Sequence, residues 1–85
     1  MARVFITGSS DGLGLMAARI LIEQGHQVVL HGRNPERAKT ALAAAPGAQS
    51  AVFGDLSDLE ETKRVAGQVS ALGRFDAVIH NAGIG

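Results

Sequence analysis

Residues 7 to 14 read Thr7-Gly8-Ser9-Ser10-Asp11-Gly12-Leu13-Gly14. Three glycines in the spacing G-x-x-x-G-x-G suit the binding of a pyrophosphate. They let the chain turn tightly and bring backbone close to the phosphates, whose charge is favoured at the start of a following helix. An apolar run before the loop and an amphipathic stripe after it favour this role over a simple chain reversal. Phosphoryl transfer of the P-loop kind is excluded, because no Gly-Lys-Ser/Thr follows the glycines. Three further turns carry polar residues after apolar runs: His31-Gly32-Arg33, Gly54-Asp55, and His80-Asn81-Ala82-Gly83. At the second of the four turns a carboxylate would accept from a ribose 2′-hydroxyl. Arg33 stands there instead, and a guanidinium pairs with a 2′-phosphate through charge-assisted hydrogen bonds. Ser9, Ser10 and Asn34 are candidate helpers to the same phosphate.

The elements that position these turns follow from periodicity. Val4, Phe5 and Ile6 predict a strand buried on both faces. Leu13, Met16, Ala17, Ile20 and Leu21 predict a helix that buries this stripe, with Gly25 as its stop. Val28, Val29 and Leu30 form a second strand. Asn34 and Pro35 then suit the N-cap and first position of a helix that runs to Pro46-Gly47 and buries Ala38, Ala41, Leu42 and Ala45. Ala51, Val52 and Phe53 predict a third strand. Ser57 with Glu60 reads as a capping box for a helix buried through Leu59, Thr62, Val65, Ala66, Val69 and Leu72, closed by Gly73. Ala77, Val78 and Ile79 make a fourth strand.

The order βαβαβαβ implies an α/β fold with a Rossmann-type parallel sheet, strand order 3-2-1-4 and three helices, an incomplete doubly wound fold. The four polar turns then converge at the carboxyl ends of the strands, where such sheets bind ligands. His26 and His31 are expected at the surface, and His80 as a hydrogen-bonded structural residue. No two histidines share a metal-ligand spacing, so no metal is expected.

Composition narrows the function. The 85 residues, with eight basic and eight acidic side chains and a pI near 6.8, form at most one small domain and give no electrostatic footprint for nucleic acid or an anionic membrane. No cysteine is present, which excludes disulfide scaffolds and thiol chemistry. The first residues lack a signal-peptide layout and no apolar run approaches a membrane span, so a cytoplasmic protein is expected.

The sequence resembles the short-chain dehydrogenase/reductase family over all 85 residues. Thr7 to Gly14 is similar to the TGxxxGxG cofactor motif, and Asp55-Leu56 to the acidic-apolar pair that meets the adenine ring. His80-Asn81-Ala82-Gly83 is similar to the NNAG motif, with histidine in place of the first asparagine. The resemblance implies a nicotinamide cofactor held by Gly8, Ser9, Ser10, Asp11, Gly12, Leu13, Gly14, Arg33, Asn34, Asp55, Leu56, Asn81, Ala82 and Gly83. Arg33 makes NADP(H) the expected cofactor, with NAD(H) second. It also implies hydride transfer to or from a small alcohol or carbonyl substrate.

The family's Ser, Tyr and Lys cannot be mapped. The chain holds no tyrosine, and Ser57, Ser70, Lys39 and Lys63 are placed on the later helices, away from the strand ends. The chain is therefore expected to be the N-terminal, cofactor-binding part of a longer oxidoreductase and inactive alone. Its fourth strand and the sheet face carrying only the third helix should leave strands one and four partly bare, a surface for self-association or a partner chain. The alternative is a non-catalytic dinucleotide-binding or interaction module.

Overall fold

The computed structural model describes residues 1–82. Four strands alternate with three helices: β1 (Arg3–Thr7), α1 (Gly12–Glu23), β2 (Gln27–Gly32), α2 (Pro35–Ala44), β3 (Ser50–Phe53), α3 (Leu59–Ala71) and β4 (Ala77–His80). All strand pairs are parallel and the sheet order is β3-β2-β1-β4. The apolar runs and glycine stops therefore locate every element, and the crossover after α3 carries the chain past β1 to its other side.

Alternation along the strands divides the core in two. Val4, Ile6, Val28 and Leu30 face α1 and α2, where Ala18, Ala41 and Ala45 are buried against them. Phe5, Val29 and Val52 face α3, covered by Val65 with Val69, Leu72 and Phe75 alongside. The alanines let α1 and α2 sit close to the sheet, and the side chains of β1 and β2 supply most of the bulk. No helix among the described residues is long and apolar enough to cross a membrane.

The helix faces differ from expectation. In α1 the side against the sheet is Gly14 and Ala18, flanked by Leu15, Ala17, Leu21 and Ile22, whereas Leu13, Met16 and Ile20 are 70%, 57% and 49% exposed. The helix carries two apolar stripes, and the sheet takes the one whose small residues allow the closer approach. Leu42, Leu59 and Ala66 likewise point outward. Asp58, not Ser57, caps α3, accepting from the N–H groups of Glu60 and Glu61.

β1 is not bare, since Val4 through Thr7 are buried. Only β4 is exposed along its whole length. It pairs with β1 along its length and is further held at its ends. Before it, the Arg3 N–H donates to Asp76 Oδ2 at 2.8 Å and the Arg3 guanidinium stacks over Phe75 at 4.6 Å. After it, Thr7 Oγ1 accepts from the N–H groups of Asn81 and Ala82 at 3.0 and 3.1 Å.

Candidate functional site

The carboxyl ends of the four strands open into a cavity of about 540 Å³, within the range of small-molecule and cofactor sites. One wall is the turn from β1 to α1. Gly8 there has φ +62°, a conformation suited to glycine, and packs tightly on Ala82. Gly14 approaches closer still, and a Cβ on it would collide with the Gly8 carbonyl oxygen. Asn81 locks the same contact, donating from Nδ2 to the Gly8 oxygen at 3.0 Å. Asp11 stands at the N-cap of α1; its carbonyl accepts from the Leu15 N–H at 3.3 Å, but its side chain makes no capping bond. The first-turn N–H groups of α1 thus keep their donors free of a side-chain cap.

The opposite wall comes from β2, α2 and the turn after β3. Arg33, Arg37, Asp55, Leu56 and Ser57 line it. Asn34 caps α2 by accepting from the Arg37 N–H at 2.8 Å, and this start of the helix presents Arg37 beside Arg33. The guanidiniums lean across the cavity: Arg33 donates to Asp55 Oδ2 at 3.4 Å and Arg37 to Asp11 Oδ2 at 3.2 Å. Both pairs are substantially exposed, where such pairs are worth ~0–1 kcal/mol, so a bound anion can replace them at small cost.

Asp55 accepts from the Ser57 hydroxyl at 2.7 Å and from the Ser57 N–H at 3.0 Å. These bonds, with a smaller pull from Arg33, hold its carboxyl below the ordinary value of 3.8. Because the folded value is the lower one, the stabilisation is complete above the unfolded value and is lost as the pH falls through the folded one. Asp55→Asn is therefore expected to flatten the decline of stability below about pH 4. Urea midpoints measured against pH check this, and parallel acid limbs for the two proteins would contradict it.

The expected site residues separate into those at the cavity and those behind it. Gly8, Ser10, Asp11, Arg33, Asp55, Leu56 and Ala82 line it. Ser9 is fully buried, its hydroxyl donating to the Ile6 oxygen and accepting from the His31 N–H. Asn34 is engaged as the α2 cap. Leu13 points to solvent, Gly12 borders the outer face of α1, and Gly14 and Asn81 buttress the turn from behind. Gly83 lies outside the described residues.

Five lining residues were not among the expected set: Thr7, His31, Arg37, Ser57 and His80. Arg37 was legible as a second basic residue in the first turn of the helix that Asn34 and Pro35 begin. Ser57 sits in the turn after β3 at the cavity, not on α3. His31 is buried at 3% exposure, contrary to its expected surface position, because β2 is covered on both faces. No cluster of metal-binding side chains occurs among the described residues.

Comparison with known proteins agrees with this architecture. A family model described as short chain dehydrogenase matches residues 2–85. The uncharacterized oxidoreductase AN7799 of Emericella nidulans is 59% identical over 85 residues, which are 100% of this chain and 33% of that protein. The short-chain dehydrogenase chry4 of Gibberella zeae is 52% identical over 84 residues, covering 99% of this chain and 32% of its own. The structure of the Pseudomonas aeruginosa RhlG/NADP active-site complex aligns with a TM-score of 0.84 at 33% identity, over 96% of this chain and 34% of that one. The chain thus spans about a third of the length of the curated relatives it matches. With its 3-2-1-4 parallel sheet and its glycine turn at the strand ends, it belongs to the short chain dehydrogenase family.

Proposed function

We propose that the chain is the N-terminal, dinucleotide-binding part of an oxidoreductase that moves hydride between NADP(H) and an alcohol or carbonyl compound. The observation that carries this reading is the cavity over the strand ends, with a glycine turn and an uncapped helix start on one side and two guanidiniums on the other. The turn and the first N–H groups of α1 suit a pyrophosphate. Arg33 and Arg37 suit a 2′-phosphate, and no carboxylate stands at the end of β2 to prefer a 2′-hydroxyl. Leu56 offers an apolar surface, and Asp55 a hydrogen-bond acceptor, to the adenine side. The NADP complex of RhlG supports the choice of cofactor by analogy.

The nicotinamide group, when bound, supplies or accepts the hydride. The residues of this chain bind and orient the far end of the dinucleotide, and the acid-base group toward the substrate comes from the rest of the polypeptide. The uncovered edge of β4 is where a further strand of that remainder would pair. Titration of the full-length polypeptide with NADPH and NADH tests the reading. Saturable binding with NADPH at least tenfold tighter is expected. Binding of neither would overturn the site, and a preference for NADH would overturn the role of the arginines.

A further inference from the structure

The buried ring of His31 spans the two walls of the cavity. Its Nδ1 accepts from the Gly8 N–H at 2.9 Å, and its Nε2 lies 2.8 Å from the Gly54 carbonyl oxygen. An amide N–H only donates and a carbonyl only accepts, so the two contacts assign the neutral tautomer with its proton on Nε2. The ring is wedged edge-on against Phe5, with centroids 6.4 Å apart. Its backbone is fixed as well: the His31 N–H donates to Ser9 Oγ at 2.7 Å, and the His31 carbonyl accepts from the Ser9 N–H at 3.0 Å. Gly8 begins the turn after β1, and Gly54 precedes Asp55 in the turn after β3. These strands are not neighbours, because β2 lies between them. One imidazole therefore ties the glycine turn to the Asp55-Leu56 turn across an intervening strand.

We infer that His31 is a positioning residue that sets the separation of these two turns and thereby tunes affinity for the adenosine 2′-phosphate end of the dinucleotide. This rests on the cofactor reading above. Without an acceptor at Nδ1, the half-buried Gly8 N–H must find another partner and the turn rotates. Without the donor at Nε2, the Gly54 carbonyl is released and Asp55, the next residue, moves with it. Either change alters the width of the cavity between the glycine turn and the Asp55-Leu56 turn.

Three variants of the full-length polypeptide separate the contacts. His31→Asn places an amide oxygen near the position of Nδ1 and keeps an acceptor for Gly8, but does not reach Gly54. His31→Gln places an amide N–H near the position of Nε2 and keeps a donor for Gly54, but leaves Gly8 without its acceptor. His31→Leu fills the space and makes neither bond. Titrated with 2′,5′-ADP, the leucine variant is expected to bind on the order of tenfold more weakly than wild type, with the two amides between them. In turnover the KM for NADPH rises while kcat at saturating NADPH stays constant, a split that loss of folded protein alone does not produce. Nitrogen NMR of the unmutated polypeptide should show Nδ1 as the unprotonated ring nitrogen, with and without 2′,5′-ADP.

If the wild-type polypeptide fails to bind 2′,5′-ADP or NADPH, the cofactor reading falls and the role of His31 with it. If wild type binds and the folded variants bind equally well, only the positioning role falls. A proton found on Nδ1 overturns it even if every variant is unfolded.

Discussion

Gly14→Ala is expected to destabilise the protein by about 3 kcal/mol, the upper end of the usual overpacking cost. The added methyl would strike the Gly8 carbonyl oxygen and come within 2.7 Å of Asn81 Nδ2. Neither can yield: the Gly8 oxygen is itself bonded to that amide, and the Gly8 N–H is held by His31. Gly12→Ala is the matched control. Its Cβ would meet nothing within 4 Å, so only the left-handed backbone at φ +57° opposes it, at roughly 1–2 kcal/mol. Urea unfolding of both variants in the full-length polypeptide measures the difference. Equal losses would mean that close approach of helix to turn is not what requires a glycine at position 14.

Arg33→Asp should carry the second large effect, on cofactor choice. A carboxylate repels a 2′-phosphate but accepts from a 2′-hydroxyl, so NADPH binding should weaken by about 100-fold while NADH is spared or improved. The change also leaves the Asp55 carboxylate without the guanidinium that stands 3.4 Å from it, which adds to the negative charge facing the phosphate. Arg37→Ala, which removes the neighbouring cation without introducing repulsion, should cost NADPH about tenfold and leave NADH unchanged. Titration of both variants with both cofactors decides the point. A parallel loss of NADPH and NADH in the aspartate variant would remove Arg33 from the selectivity.

What the sequence made legible was the order of elements and the edge on which their turns meet. Four short apolar runs, each ended by glycine or a polar turn, fix a parallel sheet because only alternation with helices can cover both of its faces. Which helical face meets the sheet was not legible. In α1 the larger residues Leu13, Met16 and Ile20 outweigh Gly14 and Ala18 in any hydrophobic pattern, yet the close approach of helix to turn selects the small ones. The site divided in the same way. Arg33 and Asp55 were visible from charge and position, whereas Ser9 and Asn34 proved committed to internal hydrogen bonds. Histidine suggested a surface residue at position 31, but a strand covered on both faces buries whatever stands there. Asp58 takes the capping role expected of Ser57, because two adjacent residues could each cap α3 and only the path of the turn decides between them.

The exposed edge at β4 has a consequence for how the native state opens. Amide exchange and local melting begin where few apolar contacts hold a segment, and β4 is kept in place mainly by hydrogen bonds at its two ends and along β1. Until a further strand covers that edge, its departure should be the cheapest excursion open to residues 1–82. That excursion also withdraws Asn81 and Ala82 from Gly8, so the glycine turn loses its brace whenever the strand peels away. Any ligand that needs the braced turn therefore acts as a latch on the edge strand, slowing exchange at amides that it never touches.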